Sequence, residues 1–186
     1  MNYTPMMEQY RAVKREHPQD LLMFRLGDFY ELFFSDAETA ARELEITLTS
    51  REAGNNQRVP MCGVPYHAVD GYISRLIAKG YRVAICEQVE DPKVAKGIVR
   101  REVVRIVTPG TILSETALAE RGNNFLALLA EYGDELALAA ADISTGEFFW
   151  ALFQGMDRYP SMLNQISRLA PSELVLTGKL ERWEEL

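Results

Sequence analysis

The sequence predicts an α/β (α+β) chain in which a mixed β-sheet with flanking helices is followed by a second, partial α/β unit. Three observations carry this. Short apolar and β-branched runs alternate with segments of helical period. Three strand-like runs joined by Gly-containing turns follow one another in the last third of the chain. The 186 residues, 47% hydrophobic and 25% charged, suit one or two small domains, each with a modest core.

Thr4-Pro5 opens the first helix, with Thr4 as N-cap and Pro5 at the first helical position, and Met6, Tyr10 and Val13 follow at helical spacing. Leu21 to Leu26 reads as a buried strand ended by a Gly27-Asp28 turn, and Phe29 to Phe34 continues extended. Ser35-Asp36-Ala37-Glu38 fits the S-x-x-E capping box of a helix that presents Ala37, Ala40, Ala41 and Leu44 on one face. Ile46 to Thr49 forms a β-branched strand, residues 51–59 a polar loop, and Pro60 to Pro65 a turn region. Tyr72, Ile73, Leu76 and Ile77 mark a helix stopped by Gly80. Arg82 to Cys86 and Val103 to Val107 are strands joined by a charged loop containing Asp91-Pro92, and Pro109-Gly110 is a hard stop. The first unit therefore reads α-β-β-α-β-α-β-β.

A second unit opens near Arg121-Gly122-Asn123-Asn124. Phe125 to Ala130, Leu136 to Ile143 and Glu147 to Phe153 are strands, with hairpin turns at Tyr132-Gly133-Asp134 and Ser144-Thr145-Gly146. Met162 to Leu169 is helical and Leu174 to Leu176 starts another strand. The order β-β-β-α-β is an unfinished α/β layer, and the closing Arg182-Trp183-Glu184-Glu185-Leu186 suggests a piece of something longer.

Composition excludes several classes. Two cysteines, Cys62 and Cys86, make neither a disulfide scaffold nor a four-cysteine zinc site, and His17 and His67 stand alone. No stretch has the length and apolarity of a membrane span, and no signal peptide is evident, so a reduced, cytoplasmic setting is expected. The net charge of −7 argues against bulk electrostatic binding of nucleic acid. Its distribution is uneven: residues 1–50 carry net −4, residues 51–105 net +4 and residues 116–186 net −6. The basic middle is either ordinary solvated surface or a local phosphate-facing patch on an acidic molecule.

No G-x4-G-K-[ST], G-x-S-x-G or H-E-x-x-H pattern occurs, so nothing supports a self-contained enzyme. Cys86, in an apolar run, reads as buried packing, and so does Cys62. His67 reads as a hydrogen-bonded residue at a helix start. Asp142 on a central strand invites comparison with RNase-H-like nucleases, where clustered carboxylates hold two metal ions. Glu147 is its one plausible neighbour, since Glu173 has no clear place, so the fold without the chemistry is favoured. Phe29 and Glu31 lie two residues apart, on one side of a strand just past a turn. That pattern fits an aromatic core residue beside a solvated acid. It fits equally an apolar wedge with an acid beside it, close to an Arg-rich loop.

Several motifs carry a resemblance. Gly27-Asp28-Phe29-Tyr30-Glu31 resembles the Phe-x-Glu mismatch-reading motif of the bacterial DNA mismatch-repair family MutS. Thr4-Pro5-Met6-Met7, Val59-Pro60-Met61-Cys62-Gly63-Val64-Pro65-Tyr66-His67-Ala68, Ala84-Ile85-Cys86-Glu87-Gln88, Val104 to Thr111 and Asp142-Ile143-Ser144-Thr145-Gly146-Glu147 are similar to the same family. They occur in family order and cover nearly the whole chain. Cys62 departs from the pattern, where the family more often has alanine.

The resemblance implies a mismatch-recognition domain over residues 1–115, and over 116–186 part of an RNase-H-like connector domain. It implies that Phe29 inserts from the minor groove and stacks on a mispaired or unpaired base, and that Glu31 bonds to that base. Arg51 matches a DNA-contacting arginine, and Met61, Cys62 and Gly63 match an element whose backbone approaches the DNA. Arg58, Arg75, Lys79, Arg100 and Arg101 are further candidate phosphate contacts. Expected partners are mismatched duplex DNA, a MutL-type repair protein at the connector and a second copy of the parent protein, with no membrane. ATP and magnesium would belong to a parent domain outside this chain, so no cofactor or metal is expected here, and a nucleoid-associated cytoplasmic location follows. Two other readings stand beside this one: a metal-dependent nuclease around Asp142, and a pure protein-interaction module in which Phe29 is buried.

Overall fold

The computed structural model describes residues 3–90, 97–112 and 123–177. The Asp91-Pro92 loop, Arg121-Gly122 and the segment from Arg182 to Leu186 lie outside them. The chain divides into two compact units, Met1–Thr108 and Pro109–Leu186. Two mixed sheets with flanking helices make an α/β architecture, as the sequence predicts.

In the first unit, helix α1 (Pro5–Glu16) starts as read, with the Thr4 hydroxyl accepting the Met7 N–H at 3.4 Å and Pro5 in the first turn. Strands β1 (Leu21–Leu26) and β2 (Phe29–Phe33) form a hairpin, and helix α2 (Phe34–Leu44) follows β2 directly. Strands β3 (Thr49–Gly54) and β4 (Gln57–Pro65) form a second hairpin. A short 3-10 turn, helix α3 (Val69–Ala78) and strands β5 (Val83–Gln88) and β6 (Arg101–Val107) complete the unit. The sheet order is β3-β4-β2-β1-β5-β6, antiparallel except where β1 runs parallel to β5.

Strand alternation sorts the side chains. On one face Leu22, Phe24, Phe33, Ala53, Val59, Ala84 and Cys86 pack with Met7 and Tyr10 of α1. On the other, the alternate residues Met23, Leu32, Cys62 and Val64 are buried together with the apolar stripes of α2 and α3. One buried carboxylate ties three elements at the far end of β2. Asp36, in the first turn of α2, accepts the Leu22 N–H at 3.0 Å and the Tyr10 hydroxyl at 3.4 Å, and pairs with the Lys14 ammonium at 2.8 Å.

Three local expectations are corrected. Ser35 does not cap α2: the strand runs into the helix through Phe34, at φ +54°, so the cap position falls on Phe33 and Ser35 is already inside the first turn. Ile46 to Leu48 are not strand, because Glu45 ends α2 in the left-handed region and pairing begins only at Thr49. The polar loop and the Pro60 to Pro65 turn are together a β-ribbon. Its tip is Asn55-Asn56, both at positive φ, the geometry of a two-residue hairpin turn. Polar residues are admissible because Glu52, Gln57 and Arg58 face solvent while Ala53 and Val59 turn inward. Pro60 brings no N–H to its partner Ser50, and Arg58 instead donates to the Ser50 carbonyl at 2.7 Å.

The second unit has strands β7 (Phe125–Tyr132), β8 (Glu135–Asp142), β9 (Glu147–Phe153) and β10 (Glu173–Thr177) in the order β10-β7-β8-β9, with helix α4 (Arg158–Leu169) before β10. One face packs Phe125, Ala127, Leu129, Leu136, Leu138 and Ala140 against Tyr159 and Met162 of α4. The opposite face shows Phe148 (69% exposed), Trp150 (66%) and Leu152 along β9, with Leu128 and Val175 exposed on β7 and β10. Asp142 ends β8 as a turn organiser. It accepts the Ser144 hydroxyl at 2.6 Å and backbone N–H groups of Ser144, Thr145 and Asn124 at 2.9, 3.3 and 2.8 Å. Burial works to raise this carboxyl, but those hydrogen bonds outweigh it and hold it below the usual carboxylate range. Among the described residues no group of three or more His, Cys, Asp or Glu could hold a metal ion.

Two outcomes follow. Asp36→Ala strands the Leu22 N–H and removes the counter-charge of the Lys14 ammonium, which keeps its hydrogen bond to the Asp20 carbonyl. It should lower stability by about 2–4 kcal/mol in urea unfolding, less than for a wholly buried pair because Lys14 keeps access to water. Because the folded-state value of Asp142 is depressed, its contribution to stability is complete above the unfolded-state value and is lost as pH falls through the depressed one. The melting temperature should therefore fall as pH drops below the ordinary carboxylate range of about 4, and Asp142→Asn should be less stable at neutral pH with a flatter acid limb.

Candidate nucleic-acid interface

Phe29 opens β2 directly after a turn that Gly27 makes at φ +59°. It is 47% exposed. Alternation puts Phe29, Glu31 and Phe33 on one face of the sheet, the face covered by α1. That cover reaches Phe33 and Phe24, and Phe29 lies beyond it at the free end of the strand.

Register assembles the rest of the site. In β4, Pro65, Gly63 and Met61 lie opposite Phe29, Glu31 and Phe33, and in β3 Arg51 lies opposite Val59. The Arg51 guanidinium donates to the Glu31 carboxylate, an ion pair that spans the width of β4. It passes the position of Gly63, where a Cβ would come within 3.4 Å of the Glu31 Cγ and 3.3 Å of the Tyr30 carbonyl oxygen. Glycine leaves the Glu31 stem room beside β4. Phe29, Glu31, Gly63, Met61 and Arg51 thus come together on one surface: an exposed ring, a neutralised acid, a cation and bare backbone.

The other candidates go elsewhere. Cys62 is fully buried with its side chain on the opposite face, because neighbours in a strand point to opposite sides, so its side chain takes no part in the Phe29 face. Arg101 is 8% exposed and donates to the carbonyls of Arg25 and Val99 and to the Gln9 side chain, with its guanidinium over the Phe24 ring, so it is an internal strut and no phosphate contact. Arg75 and Lys79 lie at the end of α3 that meets α2, where Arg75 donates to the Leu44 carbonyl and Lys79 pairs with Glu43. Arg100 pairs with Glu102, and Arg58 binds Ser50. Arg58, Arg75, Lys79, Arg100 and Arg101 thus each have a partner within the fold away from the Phe29 ring.

Burial pushes the Cys62 thiol up to about 11 and the Cys86 thiol up to about 12, which takes both out of nucleophilic chemistry near neutral pH. His67 is exposed in the 3-10 turn before α3, its ring edge-on to Tyr66. Sequence reasoning missed Arg25 and Tyr66 as residues of this end of the sheet. Tyr66 is 45% exposed, and the guanidinium carbon of Arg25 lies 4.1 Å from its ring centroid. The one available signal was an aromatic directly after Pro65.

Comparison with known proteins gives the family. A family model described as MutS domain I matches residues 4–116, and one described as MutS domain II matches residues 124–185. The protein named DNA mismatch repair protein MutS in Desulforamulus reducens is 54% identical over 186 residues, covering 100% of this chain and 21% of the relative. Its namesake in Ruminiclostridium cellulolyticum is 52% identical over 183 residues, 98% of this chain and 21% of the relative. In Syntrophomonas wolfei the figures are 54% over 187 residues, 99% and 22%. The chain thus spans about a fifth of the length of the curated relatives it matches. With both domain models matched in order and half of all residues shared with these proteins, the chain belongs to the MutS family of DNA mismatch-repair proteins.

Proposed function

We propose that the first unit recognises mispaired or unpaired bases in duplex DNA, with Phe29 entering from the minor groove and Glu31 meeting the edge of the displaced base. The observation that carries this is the half-exposed Phe29 ring at the free end of β2, on the same face as the Glu31–Arg51 pair. A module in which Phe29 served only the core would bury it. An inserted ring costs base unstacking, and a mismatch has already lost part of its stacking and pairing. A mismatched step also bends more cheaply. One wedge therefore serves several mismatches, because deformability does the selecting.

The ion pair gives Glu31 a second part to play. A carboxylate near phosphates is repelled, and in the free fold Arg51 neutralises it. When DNA arrives, Arg51 turns to a phosphate and Glu31 is left to the base edge. On a perfect duplex no base is presented, and the unpaired carboxylate opposes binding. The reading for this chain is binding and not catalysis. In this reading ATP and magnesium chemistry and dimerisation are carried by other parts of the parent protein. The second unit serves as the connector to a MutL-type partner, and the parent works in the cytoplasm. Among the described residues no helix is long and apolar enough to cross a membrane.

Phe29→Ala in the full-length protein should abolish the preference for mismatched duplex, with stacking worth about 1–3 kcal/mol removed. Its melting temperature should barely move, whereas truncating a core phenylalanine costs about 3–5 kcal/mol, so a large fall would defeat the wedge. Glu31→Ala should tighten binding to perfectly paired DNA and narrow the mismatch-to-match ratio, with Glu31→Gln keeping mismatch binding while losing much of the penalty on paired DNA. Equilibrium titration of both duplexes decides this. An equal loss on both would make Glu31 a structural residue.

A further inference from the structure

The face of the first sheet that turns away from Phe29 and Glu31 carries, at the same end, a cluster with no part in the reading above. Arg25 of β1 sits opposite Tyr30 of β2. Its guanidinium carbon lies 4.1 Å from the Tyr66 ring centroid and 5.4 Å from that of Tyr30, so the cation is held between two aromatic rings. Its Nε donates to the carbonyl of Gly27, inside the turn that delivers Phe29. A terminal nitrogen lies 3.7 Å from the Glu87 carboxylate of β5, and the Tyr30 hydroxyl donates to the same Glu87 oxygen. Burial, with Glu87 beside it, pushes that hydroxyl up to about 12, so it remains a donor throughout the neutral range.

The backbone closes the arrangement. The Tyr66 N–H donates to the Asp28 carbonyl at 2.9 Å, and from the opposite face the Arg101 Nε donates to the Arg25 carbonyl at 2.7 Å. Three carbonyls in the four residues before Phe29 are therefore tied, to β6, to the Arg25 side chain and to the segment after β4. A two-residue turn is ordinarily the loosest part of a hairpin. A ring that must part stacked bases gains from being aimed before contact, since orientation not fixed in advance is lost on binding.

We propose that Arg25 is a positioning residue for the Phe29 wedge: clamped between Tyr30 and Tyr66, it braces the Gly27-Asp28 turn from the face opposite the wedge and keeps the ring aimed. This rests on the reading of Phe29 given above. Lysine replaces it only in part, keeping the charge but not the flat cation with a donor at Nε that the clamp uses.

The test compares Arg25→Ala, Arg25→Lys and Tyr66→Ala with Phe29→Ala in the full-length protein, titrating matched and mismatched duplexes and recording melting curves. Arg25→Ala and Tyr66→Ala should each weaken mismatch binding about tenfold while matched binding stays within about twofold, with Arg25→Lys between them and the unaltered protein. Unchanged mismatch-to-match ratios in these variants overturn the proposal, as does an equal fall on both duplexes together with a lower melting temperature. If Arg25→Ala does not fold, the ratios for Arg25→Lys and Tyr66→Ala decide it. Loss of preference in Phe29→Ala alone leaves the wedge standing and rejects the brace, whereas preference kept in Phe29→Ala removes the wedge itself.

Discussion

The buried carboxylate of Asp36 anchors the end of strand β2 that lies away from Phe29. One of its oxygens, Oδ2, holds the start of β1 through the Leu22 N–H and α1 through Tyr10 and Lys14, and the residue's own position ties in the first turn of α2. The Tyr10 hydroxyl also reaches the Phe33 carbonyl at 3.3 Å. Four residues along, roughly 13 Å at the rise of an extended strand, Phe29 stands free. Stability is concentrated at the end where charge is buried and satisfied. Exposure is confined to the end where there is nothing to cover it. An exposed ring is tolerable there because the rest of β2, with Tyr30, Leu32 and Phe33 all buried, does not depend on it.

Elements of regular period were legible in the residues. The Thr4-Pro5 helix start, the β1 run and the Gly80 stop of α3 each follow from local chemistry, and each lies where it was read. The β3–β4 ribbon was not legible, because proline and charge normally mark loops. Only the tertiary setting, with Arg58 serving the carbonyl opposite Pro60, makes them acceptable in a strand. The same miss propagated to the site. Once residues 57–65 are a strand, alternation alone sends Cys62 inward and Gly63 outward. Phe29 and Glu31 were legible as a same-face pair from their spacing of two. Their link to Arg51 was not, since it depends on β4 lying between β2 and β3, which no local pattern states.

Charge was the least transferable signal. Arg51, Lys79, Arg82 and Arg100 are each matched to an acid contributed by Glu31, Glu43, Asp20 and Glu102. Arg101 sits in the interior on carbonyls, where a count of cations would place it on the surface. A chain of net −7 in which these cations are paired or buried has little general attraction for a polyanion.

The two buried thiols have a practical corollary. A thiol with a pKa of about 11, like that of Cys62, is ionised in only about one molecule in ten thousand at neutral pH, and Cys86 less still. Neither will compete for a maleimide dye or a spin label. A cysteine placed at the solvent-facing hairpin tip, at Asn56, would be the reactive one in the described part of this chain, with no need to remove the native pair. The fold thus offers an optical handle on the ribbon that carries Arg51, with both native sulfurs left in the interior.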